Sequence, residues 1–456
     1  MKGLPEELLN QVVSYFAVAG PEYDQVDLKT LTRLSRVSKQ FHRIVQPHLY
    51  AHLRGGPRGR SARLLQTIQR KPWLGLHAKS LIANGTALTD HLHPQLRLRD
   101  LLLEDPDRAS SKRRRKYYKA NFGEIISHLP NLEYLDVSKP KGKLQFGELP
   151  PWLNAIENYM LDPLHGRPPF ENLKRLDADV HDIRLIELHN VFNLPQLQIL
   201  TLHNGTMDYS LEMTSRTRRQ IISAWRFHNC TLRHLRFVGL QPARGIWAMQ
   251  LVAGSVPCLE GLSFIGGPDR GFGANFHRAM MGIFLPVITN PDFLRLEMWD
   301  MAATAPNQWC SYRALRSWGK VGNYSPVKTL IVDANIVVGM LDYAHLPLRL
   351  EELWLRSNAG PTTGLTHQQL GDYIMRFQRP RVFVLYPTLK RCRFILQETD
   401  EFTRALLEEH REAIERVGID VNVMLLEKEK DGAAGFREIW GMMRSALRWV
   451  RNGLGR

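Results

Sequence analysis

Residues capable of covalent chemistry are scattered along this sequence, and none has the spacing of a known catalytic motif. The chain contains no His-Glu-x-x-His, no Gly-x-Ser-x-Gly and no phosphate-binding Gly-x-x-x-x-Gly-Lys-Ser/Thr. The glycine-rich stretch 266–273 is interrupted by Pro268, and a turn after a strand accounts for its glycines. We therefore predict a protein that is not an enzyme.

Metal-ligating residues are equally dispersed. Cys230, Cys258, Cys310 and Cys392 stand singly, whereas zinc sites and disulfide scaffolds need close pairs or many bridges. His91 and His93 have no acid or cysteine nearby to complete a ligand set. We expect reduced, mostly buried thiols and predict neither a metal nor another cofactor.

Side chains suited to noncovalent recognition are concentrated in the second half of the chain. Arginine and tryptophan supply interface hot spots, and arginine also binds carboxylates and phosphates. They lie at the third, fifth and seventh positions of an apolar pattern that repeats along the chain and is described in the next paragraph. The predicted substrate-binding residues are His234, Arg236, Arg295, Trp299, Trp354, Arg356, Arg391 and Arg393. Earlier copies place acids there, namely Asp100, Glu104, Asp136, Asp177 and Asp179. We expect these side chains to form one face, with acidic residues from the early copies of the pattern and basic residues from the later copies. The later copies are expected to bind an acidic or phosphorylated protein segment. The alternative is an ordinary solvated sheet.

The apolar pattern itself is apolar-x-x-apolar-x-apolar, which predicts a short strand with inward side chains at its fourth and sixth positions. Copies start 23 to 41 residues apart, which leaves room for a returning helix between strands. They begin at Leu98, Leu132, Leu173, Leu197, Leu232, Leu259, Phe293, Val327, Leu350 and Leu389. Return helices are predicted at 218–227 and 276–284, and the array is expected to end with a helix over 399–417 and a strand at Ile419–Val423.

Two copies extend to an asparagine at the ninth position, Asn335 and Asn358. The segment therefore resembles a degenerate leucine-rich repeat solenoid. A generic α/β domain in which the pattern arises by chance is the alternative. The resemblance implies an α/β fold of short parallel strands and helices.

The first fifty residues predict three short amphipathic helices. Apolar residues at 9, 12, 13 and 16 follow helical spacing, and Asp27 and Ser38 are expected to cap the second and third helices. Pro47 is expected to end or kink the third. Such a small helical unit is marginal alone, which favours an interaction module. The alternative is that these helices form the cap of a larger domain.

The order Leu4-Pro5-x-Glu7-Leu8-Leu9-x-x-Val12, then Leu34-Ser35-Arg36-Val37-Ser38-Lys39-x-Phe41 and Pro47-x-Leu49-Tyr50 resembles an F-box. That family binds the Skp adaptor and so attaches to a cullin-RING ubiquitin ligase. The resemblance implies an adaptor-binding surface made of Leu4, Pro5, Leu8, Leu9, Val12, Ser38 and Phe41. One departure is the loop 17–26, which is longer than the usual turn between the first two helices.

Charge is the one unusual feature of the composition. The chain has 61 Lys+Arg against 45 Asp+Glu, a net charge of +16, which favours acidic partners. The run 108–119 supplies seven of these charges and the tail after 436 supplies four. The run resembles nuclear localisation and nucleic-acid-binding segments, with a solvated insertion as the alternative. The tail predicts a basic amphipathic helix that packs on its own domain, binds a partner groove or lies on a membrane.

We therefore divide the chain into an F-box (1–50), a linking helix (51–75), a repeat solenoid (76–430) and a C-terminal helix (431–456). The acidic N-terminus and the lack of an 18-residue uncharged apolar run predict neither secretion nor a membrane span, hence a cytoplasmic or nuclear protein. The predicted function is substrate recognition in a Skp-cullin-F-box ubiquitin ligase, with the Skp adaptor, a cullin and a protein substrate as partners. The rivals are a nucleic-acid or chromatin scaffold and an F-box protein acting outside ubiquitin transfer.

Overall fold

The computed structural model describes a set of helices and strands together with the turns beside them. The described residues are 5–17, 27–55, 60–85, 123–140, 150–161, 170–181, 183, 185–205, 222–223, 225, 230–240, 247–266, 276–300, 325–334, 346–356, 371–372, 374, 386–397, 401–416 and 418–426. The chain divides into two compact units. Unit 1 comprises Met1–Val238 and Ala243–Val256, and unit 2 comprises Gly239–Pro242 and Pro257–Arg456.

Unit 1 begins with three helices, α1 (Glu6–Ala17), α2 (Leu28–Leu34) and α3 (Lys39–Ala51). Their apolar faces form one core, made of the buried Leu9, Val13, Leu31, Ile44 and Val45 with Phe16, Leu34, Phe41 and Leu49 packed against it. Both predicted caps are present. The Thr30 amide donates to Asp27 at 2.9 Å, and the Phe41 amide donates to Ser38 Oγ at 3.1 Å.

The sequence predicts that Pro47 ends or kinks the third helix. Pro47 lies inside α3, so it does not end the helix, and the kink stays a prediction. The ring of a proline removes one helical hydrogen bond and crowds the preceding turn. Ile44 and Val45 before the proline and Leu49 after it are anchored in the same core, which holds both sides of the helix in place.

Unit 1 continues with six strands that are parallel to their neighbours and paired in sequence order. They are β1 (His52–Gly55), β2 (Ser80–Gly85), β3 (Tyr134–Pro140), β4 (Arg175–Asp179), β5 (Ile199–His203) and β6 (His234–Val238). The described helical elements of this unit after α3 include α4 (Arg60–Arg70), a 3₁₀ helix (Pro72–His77), α5 (Pro151–Leu161), a 3₁₀ turn (Leu185–Leu188), α6 (His189–Phe192) and α7 (Trp247–Ser255).

The described residues of unit 2 form six further strands, again parallel and paired in sequence order. They are β7 (Gly261–Gly266), β8 (Arg295–Asp300), β9 (Thr329–Asp333), β10 (Glu352–Arg356), β11 (Arg391–Gln397) and β12 (Asp420–Leu426). Its described helices are α8 (Phe276–Ile283), α9 (Leu285–Ile288) and α10 (Glu401–Arg416). Gly418 follows α10 with a φ of 86°, a left-handed conformation that suits glycine at a helix end.

The strand register aligns the fourth position of the apolar pattern from one strand to the next. In unit 1, Leu135 lies beside Leu176, then Leu200 and Leu235. In unit 2, the row runs through Leu262, Leu296, Leu330, Leu353, Cys392 and Val421. The leucines of both rows are fully buried. These rows form the apolar interior of each unit, as the pattern predicts.

Polar side chains at the strand entry turns tie each turn to the one before it. Asn131 Nδ2 donates to the carbonyl of Leu76 at 2.7 Å, and Asn172 Nδ2 donates to that of Pro130 at 3.3 Å. In unit 2, Asn290 Nδ2 donates to the carbonyl of Pro257 at 3.0 Å. These hydrogen bonds satisfy backbone carbonyls that no hydrogen bond within a helix or a strand would otherwise satisfy.

The observed elements confirm a mixed helix and strand fold with N-terminal helices and parallel strands. The structure adds β1 and β2, and β1 lies in the segment interpreted as a linking helix. The apolar content of β1 is too small to stand out in the sequence, since this strand buries only Leu53 of its three non-glycine residues. The copy at Leu98, Asn335, Asn358, the basic run 108–119 and the C-terminal helix lie outside the described residues, as does most of the predicted helix 218–227.

Gly75 in the 3₁₀ helix offers a test of this packing. A Cβ at this position would overlap the backbone carbonyl of His128, and backbone yields less readily than a side chain. We expect Gly75→Ala to lower the free energy of unfolding by about 1–3 kcal/mol, measured by urea denaturation. Gly282→Ala is the matched control, since its Cβ meets nothing within 4 Å on α8. Equal midpoints for the two variants would contradict the close approach.

Candidate interaction surfaces

The first candidate surface is an apolar stripe on the exposed side of α1. Leu8 is 46% exposed, Val12 45% and Tyr15 81%. Their spacing of four and three residues places them on one helix face, which we call the α1 stripe. Leu9, Val13 and Phe16, each one residue later, face the helical core. Val37, in the turn between α2 and α3, is also 66% exposed.

The structure separates the predicted adaptor-binding residues into exposed and internal ones. Pro5, Leu8 and Val12 are exposed. Leu9 is only 4% exposed and supports the core, and Phe41 is half-buried against that core. Ser38 is exposed, with its hydroxyl engaged as the α3 cap. Leu4 lies outside the described residues.

Sequence reasoning missed Tyr15 and Val37. Tyr15 follows Leu8 by seven residues, so helical periodicity could have identified it. Val37 carries no comparable signal, because it lies in a turn whose exposure depends on how α2 and α3 pack.

The second candidate surface is the polar strand face of unit 2, formed by the third, fifth and seventh pattern positions. It holds six of the predicted substrate-binding residues, but their arginines are paired with carboxylates. Arg393 lies 3.0 Å and Arg391 3.7 Å from Glu352, and Arg356 lies 3.6 Å from Asp333. The guanidinium of Arg393 also covers the ring of Trp354, 4.7 Å from its centroid.

Glu297 is the third acid on this face. It accepts a hydrogen bond from Ser263 Oγ at 2.7 Å and lies 3.9 Å from Arg295. Glu297, Asp333 and Glu352 are each buried. The described part of this face is therefore not predominantly basic, which corrects the expected charge order. The acids occupy the same odd positions as the arginines, so the pattern could have identified them.

Exposure also differs from expectation in unit 2. Trp354 is only 1% exposed, so it packs inside this face and presents no surface. The side chains of Arg356, Arg393 and Arg391 keep 11%, 21% and 34% exposure, which leaves them partly accessible at the edge of the ion pairs. The side chain of Trp299 lies outside the described residues.

The corresponding face of unit 1 contains a buried ion pair. Arg175 donates to Asp177 Oδ2 at 2.6 Å, and the Tyr134 hydroxyl donates to the same oxygen at 2.9 Å. The Arg175 guanidinium lies 4.8 Å from the centre of the Tyr134 ring. Burial acts to raise the pKa of Asp177, but the charge and hydrogen bonds of Arg175 lower that pKa to about 2. Burial raises the pKa of Tyr134, as does the charge of Asp177.

Two other acids on this face, Asp136 and Asp179, accept hydrogen bonds from residues close to them in sequence. Asp136 accepts from the Ser138 hydroxyl at 2.6 Å, and Asp179 accepts from the His181 amide at 2.8 Å. The predicted His234 and Arg236 are half-buried on β6, in the same cross-strand rows as Arg175 and Asp177. They belong to a different unit from the other six predicted substrate-binding residues.

Two further features of the described residues bear on function. No group of three or more His, Cys, Asp or Glu side chains converges there in a way that could hold a metal ion. Among the helices whose placement is described, none has both the length and the apolar character needed to cross a membrane.

Comparison with known proteins identifies the N-terminal helices. Residues 1–54 match the family model described as F-box-like. No curated protein matches the chain. The matched residues include α1, α2 and α3 and end within β1, so the three helices that carry the α1 stripe form an F-box-like domain.

Asp177 gives a pH-dependent test of the buried pair. Its folded pKa of about 2 lies below the ordinary 3.8, so its contribution to stability is complete above pH 3.8 and is lost as the pH falls through 2. We expect Asp177→Asn to lower the free energy of unfolding by about 3–5 kcal/mol at pH 7, because Arg175 keeps a charge without its counterion.

Urea denaturation at pH 7, 5, 4 and 3 measures this effect, and the difference from wild type should shrink at the acid end. The control is Glu133→Gln, whose partner Lys174 is 3.0 Å away on an exposed pair, and it should cost at most about 1 kcal/mol. A difference for Asp177→Asn that stays constant across this pH range would contradict the assignment.

Proposed function

We propose that this protein is a substrate-recognition subunit of a Skp-cullin-F-box ubiquitin ligase. The observation that carries the proposal is the F-box-like domain at residues 1–54 with its exposed α1 stripe. Apolar side chains held outward on a rigid helix gain free energy only when a partner covers them. In this proposal the partner is the Skp adaptor, which links the chain to a cullin.

The strand region is proposed to select the protein to be ubiquitylated. Support comes from strands paired in sequence order and from aligned leucines within each unit, the arrangement expected of stacked leucine-rich repeats. Repeats of this kind expose one strand face along their length. The partly accessible Arg391 and Arg393 remain candidates for contacts with an acidic or phosphorylated segment of the target.

The proposed role is not enzymatic. The protein would hold a target near the ubiquitin-transfer machinery and so raise its effective concentration there. Such a role fits a protein of the cytoplasm or the nucleus, where this ligase class operates. The nucleic-acid rival depends on the run 108–119, which lies outside the described residues.

The α1 stripe tests adaptor binding directly. We expect Leu8→Ala combined with Val12→Ala to weaken binding of the Skp adaptor at least tenfold, because both side chains are exposed and apolar. Binding is measured with purified full-length chain and adaptor by calorimetry, and circular dichroism confirms that the double variant remains folded.

Leu348→Ala is the matched control, since Leu348 is 47% exposed and lies outside the F-box-like domain. It should bind adaptor as wild type does. A double variant with unchanged affinity would refute the α1 stripe as the docking face. Adaptor binding without recruitment of a cullin would favour the F-box protein acting outside ubiquitin transfer.

A cellular experiment tests the ligase role. We expect replacement of the native chain by the Leu8→Ala, Val12→Ala variant to raise the abundance of a discrete set of proteins, and inhibition of cullin activity to raise the same set. Quantitative proteomics measures both changes, with Leu348→Ala as the control. Two sets that do not overlap would contradict a role in cullin-dependent turnover.

A further inference from the structure

The 3₁₀ helix Pro72–His77 carries a second exposed apolar feature, outside the F-box-like domain. Trp73 is 43% exposed and Leu76 is 50% exposed. Side chains three residues apart in a 3₁₀ helix point in the same direction. Trp73 and Leu76 therefore form one continuous apolar spot, with the exposed Pro72 beside it.

The backbone beneath this spot is held firmly. Leu74 is 1% exposed, and the Gly75 backbone packs directly against the carbonyl of His128. The Leu76 carbonyl accepts a hydrogen bond from Asn131 at 2.7 Å. Little conformational entropy remains to be lost there when a partner binds, which favours association.

Positive charge borders the spot. The segment 70–79 contains Arg70, Lys71 and Lys79 and no acidic residue, and all three cations are exposed. The ring of His77 lies edge-on to Trp73, with centroids 5.9 Å apart.

Two histidines, His48 on α3 and His52 on β1, feel the charge of this border. Burial lowers the pKa of His48, and the positive charges of His77 and Lys79 lower that pKa further. Burial likewise lowers the pKa of His52, with added effects of Lys79 and Arg54. The lowered pKa values favour neutral imidazoles near pH 7, so Arg70, Lys71 and Lys79 supply the positive charge of the border. A neutral imidazole still carries one N–H group that can donate a hydrogen bond to an anion.

We propose that Trp73, Leu76, His48, His77 and Lys79, here called the Trp73 patch, dock an acidic peptide segment of a partner protein. A bulky apolar side chain of the peptide packs on Trp73 and Leu76. Flanking carboxylates of the peptide lie against Lys79 and the histidines. This combination of one aromatic anchor with a cationic border matches how short acidic motifs are recognised.

A peptide fits this patch better than a nucleic acid does. Glu124 accepts a hydrogen bond from Gln69, the residue before Arg70, so a carboxylate lies near one end of the cationic border. A continuous phosphate backbone that followed the border would meet this acid. An acidic peptide concentrates its charge in a few side chains, so it can contact the cations alone. The proposal does not depend on adaptor binding, because the α1 stripe belongs to other residues.

An array of short synthetic peptides tests the proposal with the full-length chain. Glutamate and aspartate flank leucine, phenylalanine or tryptophan in the first series, and lysine replaces every acid in a matched series. We expect the acidic series to bind and the lysine series not to bind. Fluorescence anisotropy on the best binder should then show affinity that falls as salt is raised.

Variants locate the binding. Trp73→Ala and Lys79→Glu should each weaken the best acidic peptide at least tenfold, and Lys79→Glu should gain affinity for its lysine counterpart. Leu348→Ala, on a comparably exposed leucine, should leave peptide binding unchanged. The Leu8→Ala, Val12→Ala variant should also leave it unchanged, and Trp73→Ala should keep adaptor binding, which separates the two proposals.

Three results would overturn the proposal. The first is an array with no preference for acidic over lysine peptides, including an array with no binder at all. The second is acidic-peptide binding that survives Trp73→Ala in a variant shown by circular dichroism to be folded. The third is tighter binding of a single-stranded oligouridine than of any acidic peptide.

Discussion

Each strand shares main-chain hydrogen bonds with the next strand of its unit in a parallel register, and this register aligns the fourth pattern positions. The aligned residues form the buried rows that run through Leu176 and Leu200 in unit 1 and Leu330 and Leu353 in unit 2. A slip of one residue would turn every leucine toward the polar face. The asparagine bonds at the entry turns oppose such a slip, because each joins a side chain to a fixed backbone carbonyl of the preceding turn.

The same register dictates the chemistry of the opposite face. Side chains at alternate positions lie close to those of neighbouring strands, and several of them are buried. An acid such as Asp177 or Glu352 is tolerated there only beside a cation, since a lone buried charge costs several kcal/mol. Arg175 and Arg393 supply that charge. Several arginines that the sequence predicts to bind a partner therefore form ion pairs that stabilise the sheet.

Periodic features were predictable from the sequence, and features set by distant packing were not. The leucine at the fourth position, the caps Asp27 and Ser38 and the last strand all follow local rules of spacing and side-chain type. β1 escaped prediction because a four-residue strand with one buried side chain carries almost no periodicity. The burial of Trp354 and the partners of Arg391 depend on strands far apart in sequence, so no local pattern reveals them.

The F-box-like domain separates folding from association on opposite faces of one helix. Leu9 and Val13 bury their side chains and stabilise the fold at roughly 1.5–3 kcal/mol each. Leu8 and Val12 occupy the adjacent positions and remain about half exposed, so they contribute little to folding. Burial of their apolar surface becomes favourable only when a binding partner covers it and removes it from water. Binding can therefore be weakened without unfolding the domain, because the two functions rest on different side chains of α1.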